Sequence, residues 1–311
     1  MPASRNLSTM QLIAMSLLTT SLLFLPTLSH AKPIACFTSN VGNFCMELLE
    51  RQAPKTVSNF ISYINSGAYT NGIFHRSVAG FVVQAGGHKV VSSSSGSSIN
   101  AVSTFAPVIN EFAVSNTRGT VAMAKVAGDP NSATSQWFVN LENNAANLNA
   151  QNGGFTAFGK ILYNGMAVFD AIAALPVRDL SNNFGSDFSS TPALAYNSQQ
   201  VTLAMINTVQ LSHVTAVFEN DRVNFAVDIG NNEFFDVSMR IIASQPSIVF
   251  QVESAIPIAV ANRPANIATF SYQTNQLLIP SVQVDATTVA NNVVLTLTAP
   301  ASLQFTVRGS N

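Results

Sequence analysis

The alternation of apolar and polar residues indicates that most of this chain is β-structure. Short β-like runs occur at Thr120 to Ala124, Trp137 to Leu141 and Ala157 to Leu162, and the segment Val223 to Ile229 has an apolar residue at every second position, a period that is typical of strands. In two other segments the apolar residues recur at helical spacing, and one segment begins at Pro54 while the other ends before Pro176. Proline is common in the first turn of a helix and just beyond a helix end. The pattern predicts a closed or nearly closed antiparallel sheet with two helices packed on it.

From about Val214 onward the helical spacing ends and only strand-like segments remain. The pattern at Val227 to Ile229 and Val237 to Ile242 recurs at a constant offset at Val282 to Val284 and Asn292 to Leu297. Such a recurrence of alternating segments predicts a small all-β domain, either sandwich-like or built from two repeat units.

The run of serines at Ser92 to Ser98 is broken only by a glycine. These side chains have no apolar surface to bury. We therefore predict a flexible loop within the first domain.

The first residues have the features of an export signal. Arg5 supplies a positive start, Leu12 to Leu25 is an apolar stretch, and Ser29 and Ala31 are small residues suited to cleavage. We predict a signal peptide over residues 1–31. An uncleaved anchor is the alternative, but the apolar run is short for a membrane span of roughly 20 residues.

Composition and charge exclude several classes of partner. The net charge is -1 and 9% of residues are charged, so no basic surface for nucleic acid or an anionic membrane is expected. The four histidines are scattered, and we predict no metal site and no cofactor. The polar segment Asp228 to Asp236 lacks the ligand spacing of an EF-hand, and we interpret it as a hairpin turn.

The two cysteines, Cys36 and Cys45, flank the turn-forming segment Ser39 to Asn43. Turn formers between two apolar segments predict a β-hairpin. In an oxidising compartment a disulfide across this hairpin is feasible. Two free cysteines packed in the sheet fit the sequence equally well.

Three blocks in order, the first Phe74 to Gly87, the second Ser115 to Ala124 and then Ser132 to Asn140, and the third Phe155 to Lys160, closely resemble the signature blocks of the cyclophilins. The likeness extends over about residues 33 to 213. It implies a closed antiparallel eight-stranded barrel with two capping helices, acting as a peptidyl-prolyl cis/trans isomerase on proline-containing unfolded or extended peptides. The domains expected are 1–31, 32–213 and 214–311.

The resemblance also assigns roles to individual residues. Arg76 and Gln84 would be catalytic, with the glutamine supporting the arginine by a hydrogen bond. His75, beside the arginine, is interpreted as a packed structural histidine. The substrate-binding residues implied by the family are Phe81, Val82, Asn110, Ala124, Gln136, Phe138, Leu148 and Phe155.

These residue types suit the reaction. Rotation about an X-Pro bond faces a barrier of roughly 18–20 kcal/mol because amide resonance is lost in the twisted state. A fixed cation such as Arg76 near the prolyl nitrogen would stabilise the lone pair that then appears, and an apolar pocket would hold the ring. No nucleophile or metal is required.

Three positions depart from the family pattern. Val82 stands where many members have methionine, Ala85 where glycine is usual, and Asn147 is the nearest match to a tryptophan that contacts cyclosporin drugs. We expect activity to be kept and cyclosporin binding to be weak.

The expected function is to assist the folding of exported proteins, in the periplasm or after secretion. A non-catalytic module that binds proline peptides or mediates adhesion is the alternative. The sequence names neither natural substrates nor a partner for residues 214–311.

Overall fold

The computed structural model describes residues 32–94, 96–197, 200–259, 267–285 and 288–307. The signal peptide predicted over residues 1–31 lies outside these ranges. The chain divides into two compact units, with the boundary between Ser212 and His213. No helix in the described part of the chain is long and apolar enough to cross a membrane.

In its described residues, the first unit contains thirteen strands, four α-helices and two short 3-10 helices, Gln151–Gly153 and Ser186–Phe188. The helices are α1 (Pro54–Asn65), α2 (Ala145–Leu148), α3 (Gly165–Ala173) and α4 (Ser181–Phe184). The strands are β1 (Lys32–Ser39), β2 (Phe44–Leu48), β3 (Arg76–Val78), β4 (Val82–Ala85), β5 (His88–Ser93), β6 (Gly96–Ala101), β7 (Thr120–Met123), β8 (Trp137–Asn140), β9 (Ala157–Ile161), β10 (Val177–Arg178), β11 (Thr191–Tyr196), β12 (Val201–Leu203) and β13 (Ile206–Val214).

Eight of these strands form one sheet in the order β13-β1-β2-β9-β7-β8-β4-β3. Its two ends are joined by backbone hydrogen bonds, since Phe74 N donates to Ala204 O at 3.1 Å and Ile206 N donates to Gly72 O at 2.8 Å. The predicted mainly β class with an eight-stranded sheet is confirmed.

The main core lies between this sheet and the helices α1 and α3, which contribute Phe60 and Phe169. Trp137 is fully buried, and the rings of Phe37, Phe60, Tyr69 and Phe74 lie within 6.4 Å of it. Large aromatic side chains bury much apolar area each and favour such tilted and edge-to-face contacts. These contacts hold β8, which begins at Trp137, in place from the core side of the sheet.

The start of α1 is capped from a distant loop. Pro54 occupies the first turn, and the Glu111 carboxylate accepts hydrogen bonds from Lys55 N at 3.1 Å and Thr56 N at 2.8 Å. The first amides of a helix have no partner within it and favour negative charge. The cap therefore anchors the segment that also contains Asn110.

The predicted hairpin around the cysteines is confirmed. β1 and β2 pair antiparallel with Cys36 directly opposite Cys45, and a disulfide joins them with Cα atoms 4.0 Å apart. The bond ties two neighbouring strands of the sheet.

The predicted serine loop is not a loop in the structure. β5 and β6 form a hairpin in which Ser92 pairs with Ser97. The pair Val90 and Ile99, at the base of this hairpin, packs on an apolar cluster around Phe188. Backbone pairing extends from that anchored base to Ser92, Ser93, Ser97 and Ser98, which remain exposed.

Within the described residues, the second unit consists of β-strands and one short 3-10 turn at Pro300–Ser302, and the predicted all-β class is confirmed. Its single sheet has the order β14-β15-β16-β17-β21-β20-β19-β18, and the further pairings β14–β19 and β15–β18 close it into a barrel. Its strands are β14 (Ala216–Glu219), β15 (Arg222–Asp228), β16 (Phe234–Ala243), β17 (Val249–Ile258), β18 (Ala268–Ser271), β19 (Gln276–Gln283), β20 (Val289–Ala299) and β21 (Gln304–Val307).

The sequence repeat corresponds to two four-stranded halves of this barrel, β14 to β17 and β18 to β21. Phe250 and Phe305, equivalent in the repeat, face each other where the halves meet. At the β15–β16 turn, the Asp228 carboxylate accepts a hydrogen bond from Gly230 N at 2.8 Å, which is typical of a turn. The predicted hairpin at this position is confirmed.

Candidate active site

Arg76 and Gln84 lie opposite each other on the neighbouring strands β3 and β4. The Arg76 guanidinium donates a hydrogen bond to Gln84 Oε1 at 3.3 Å. Gln84 Nε2 in turn donates to Gln136 Oε1 at 2.7 Å. Gln84 thus holds the arginine and is itself held by Gln136. Arg76 forms no ion pair with an acidic residue of the described chain.

Strand register extends this arrangement across the sheet. Arg76 pairs with Gln84, Gln84 with Phe138, Phe138 with Ala122, and Ala122 with Ala157. Directly paired residues point to the same face of a sheet. The cation and the apolar residues therefore share one row on the face opposite the main core.

An apolar cluster, which we call the pocket cluster, surrounds this row and is separate from the main core. Phe138 is buried, and its ring centroid lies 5.8 Å from that of Phe155 in an edge-on contact. The structure brings together most of the residues predicted to bind substrate. The pocket cluster consists of Val82, Ala122, Phe138, Leu148 and Ala157, with Phe81, Val114, Ala124 and Phe155 packed against it.

Gln136 and Asn110 lie outside the pocket cluster. Gln136 is bound to Gln84, as described above. The Asn110 side chain donates to Gly153 O at 2.6 Å and accepts from Thr156 Oγ1 at 2.7 Å, so its amide supports the loop before Phe155. The predicted contact of Asn110 with a peptide stays a prediction.

Comparison with known proteins identifies the family. The family model described as cyclophilin type peptidyl-prolyl cis-trans isomerase matches residues 34–189. The chain belongs to this cyclophilin family. Family membership supports peptidyl-prolyl isomerase activity for the first unit.

Named relatives agree with this assignment. A peptidyl-prolyl cis-trans isomerase of Acinetobacter baylyi is 39% identical over 141 residues, covering 44% of this chain and 70% of the relative. Peptidyl-prolyl cis-trans isomerase B of Escherichia coli is 36% identical over 142 residues, covering 44% and 81%. A crystal structure of a cyclophilin type isomerase from Cryptosporidium parvum is 22% identical with a TM-score of 0.42, covering 58% of this chain and 97% of that one.

Three members of the pocket cluster were not predicted, namely Val114, Ala122 and Ala157. The two-residue period of a strand is enough to predict Ala122 as a pocket residue. It precedes the predicted Ala124 by two positions and so points to the same face of its strand. For Val114, which lies outside the strands, no such signal was available.

A second missed feature is a network of buried asparagines beneath this cyclophilin pocket. Asn144 Nδ2 donates to Phe81 O at 2.9 Å and to Asn140 Oδ1 at 2.8 Å. Asn140 Nδ2 donates to Asn116 Oδ1 at 3.2 Å, and Asn116 Nδ2 donates to Phe155 O at 2.9 Å. Because buried amides are costly unless paired, this network fixes the spacing of two pocket walls.

Lys125 completes the support of the wall at Phe155. Its ammonium donates to Asn152 O at 2.8 Å and to Gly154 O at 2.7 Å, and it lies 4.7 Å from the centre of the Phe155 ring. Partial burial lowers the pKa of Lys125.

Asn147, the position related to cyclosporin contact, is exposed on α2.

His75 is buried behind the site, with 1% of its surface exposed. Burial, followed by the nearby His88, lowers the pKa of His75 from 6.5 to about 4. At neutral pH the imidazole is therefore uncharged. Its ring packs against those of His88 and Phe188 at 5.2 Å and 6.1 Å, as expected of a structural histidine.

This burial predicts a pH-dependent stability. In the unfolded chain, histidine titrates near 6.5, so between about pH 6.5 and pH 4 the unfolded state binds a proton that folded His75 does not. Stability should fall as pH falls through this window, by about 3 kcal/mol from this group. Urea unfolding of the wild type and of His75→Gln at pH 4 and pH 7 measures it. An equal pH dependence in both proteins would contradict the assignment.

Proposed function

We propose that this cyclophilin catalyses X-Pro rotation by electrostatic stabilisation of the twisted amide and thereby assists the folding of exported proteins. The observation that carries the mechanism is the row from Arg76 through Gln84 to Phe138 across three strands. It sets an unneutralised cation beside an apolar pocket on one face. That is the combination an X-Pro substrate in its twisted state would need.

In this mechanism the proline ring enters the pocket cluster, where Phe138 and Phe155 surround it. Arg76 donates toward the prolyl nitrogen and the preceding carbonyl as resonance is lost. The hydrogen bond from Arg76 to Gln84, and the further one from Gln84 to Gln136, keep the guanidinium oriented before substrate binds. Preorganised charge is effective in catalysis because it does not have to reorient during the reaction.

The apolar surroundings favour the same state. A planar amide carries more charge separation than a twisted one, and a less polar environment disfavours charge separation. The side chains of Val82 and Leu148, both buried, would exclude water from the bound amide. No proton transfer is part of this reaction, which is consistent with the uncharged His75 behind the site.

Two observations support a role outside the cytoplasm. The first residues have the pattern of an export signal. The disulfide between Cys36 and Cys45 belongs to the type of bond that forms and persists in oxidising compartments. Proline-containing segments of newly exported proteins are the proposed substrates, and the periplasm is the proposed location.

Expression of the full chain in a Gram-negative bacterium tests the location. We expect the protein in the osmotic-shock fraction with Lys32 as its first residue, because small residues at the cleavage site permit processing. Intact-mass measurement and N-terminal sequencing determine this. Ala31→Arg is the matched control and should remain unprocessed. Unprocessed wild-type protein in the cytoplasm would contradict the proposed export.

A further inference from the structure

The barrel of the second unit contains a cavity of about 810 Å³. This volume is within the roughly 300–1,000 Å³ range of small-molecule sites. Its floor is part of the barrel core, with Val223, Phe250, Ile279 and Leu295 among the buried residues that line it. Seven of the eight strands contribute to the wall, so the cavity is a feature of the closed barrel.

The chemistry of the wall is apolar and uncharged. No lysine, arginine, aspartate or glutamate is found among the described lining residues. Three amides, of Gln276, Asn291 and Asn292, are the polar side chains present. An uncharged wall gives no compensation for a buried ionic group, whereas amides can bind a neutral polar head by hydrogen bonds.

The cavity reaches solvent through an apolar rim. Ile248 is 40% exposed and Val284 is 36% exposed, and both line the cavity. A largely apolar wall of this kind favours an apolar ligand, because binding removes apolar surface of both from water. The exposed rim gives such a ligand a route to the buried floor.

Strand pairing indicates which apolar ligand fits. Each strand that lines the cavity has a paired strand on both sides over at least part of its length, including β14, which pairs with β15 and β19. The backbone amides and carbonyls of a peptide in the cavity would therefore lie against the apolar side chains of the wall and not along a strand edge. A hydrocarbon chain has no such groups to satisfy.

We propose that the barrel of residues 216–307 binds the hydrocarbon chain of a single-chain amphiphile with an uncharged hydroxyl head group. Long-chain alcohols and monoacylglycerols share this chemistry. The chain occupies the apolar floor, and the head group lies at the amides of Asn291 and Asn292, both exposed. This site is independent of the proline pocket.

Binding of the neutral fluorophore N-phenyl-1-naphthylamine to the mature protein tests the proposal. We expect saturable binding of one fluorophore per chain, displaced by 1-decanol and by 1-decanoylglycerol, and at least about tenfold more weakly by decyltrimethylammonium, because its quaternary head group cannot make the hydrogen bonds that the amides offer a hydroxyl. The relative affinities of the two neutral ligands identify the natural type of head group. Equal displacement by the cation, or stronger displacement by an apolar peptide, would overturn the proposal.

Two isoleucines provide a matched pair of variants. Ile248 and Ile242 are each 40% exposed, but Ile248 lines the cavity and Ile242 does not. Ile248→Asp should weaken fluorophore binding about tenfold or more, and Ile242→Asp should leave it within twofold. Equal effects of the two substitutions would overturn the proposal.

A third substitution gives an independent check that does not introduce charge. Ala290 also lines the cavity, and Ala290→Phe should fill part of it and weaken binding, with thermal unfolding recorded for every variant. The milder Phe138→Leu should leave fluorophore binding unchanged, since Phe138 belongs to the proline pocket. Loss of binding in Phe138→Leu with none in Ala290→Phe would assign the fluorophore to that pocket and refute a barrel site.

Discussion

Arg76→Ala is expected to lower kcat/KM for a proline-containing peptide by roughly 100-fold or more, the scale on which removal of one preorganised electrostatic donor acts. Arg76 is the cation held by Gln84 at 3.3 Å, and alanine supplies neither charge nor donor. Because Arg76 is half-exposed and has no ion-pair partner in the described chain, we expect little change in the free energy of unfolding. A protease-coupled proline-peptide assay of the mature protein measures the effect.

Arg178→Ala is the matched control for this substitution. Arg178 lies in the same unit, on β10, with its guanidinium 5.0 Å from the Tyr196 ring, and it is exposed. Its removal should leave kcat/KM within twofold of the wild type. If Arg76→Ala and Arg178→Ala were equally active, the electrostatic mechanism would be wrong. If the wild type bound proline peptides without accelerating their isomerisation, the chain would be a binding module.

Arg76→Lys separates charge from geometry. Lysine keeps the positive charge but lacks the planar set of donors that guanidinium presents. We expect activity between that of the wild type and of Arg76→Ala, because the hydrogen bond to Gln84 depends on the planar group.

Local pattern predicted the strands of the site well, because period two distributes side chains between two faces. Val83 and Val139 point to the main core, while Val82 and Phe138 belong to the pocket cluster. To predict the row that joins Arg76 to Phe138, one must also know the register in which neighbouring strands pair. The family resemblance supplied that information, since spacing along one strand says nothing about its neighbour.

Features made by distant segments were not predictable in this way. The network from Asn144 through Asn140 to Asn116 joins two segments, 24 residues apart at Asn140 and Asn116, that meet in the folded chain. Asparagines are also frequent in turns, so their positions in the sequence suggested loops. The closure of the second unit likewise depends on the parallel pair β14–β19, which alternation alone does not indicate.

Phe138→Ala should weaken both binding of a proline peptide and catalysis. The Phe138 ring is 5% exposed and contacts Phe155 at the centre of the pocket cluster. Loss of roughly 1.5–3 kcal/mol of apolar contact with a bound ring corresponds to a fall in kcat/KM of about 10- to 100-fold. Since the proline ring is held in ground and transition states alike, most of the change should be in KM.

The substitution should also lower stability, by about 3–5 kcal/mol for a buried phenylalanine, so a control must separate folding from binding. Phe158→Ala provides it. Phe158 is equally deep in the unit, on the adjacent part of the sheet, but belongs to the main core and contacts Phe60 at 4.8 Å. With rates corrected for the folded fraction from urea titrations, Phe158→Ala should keep the wild-type KM, whereas Phe138→Ala should raise it. If the alanine variant does not fold, the milder Phe138→Leu takes its place. A normal KM in the variant would show that the proline ring binds elsewhere, because the pocket cluster would then contribute only to stability.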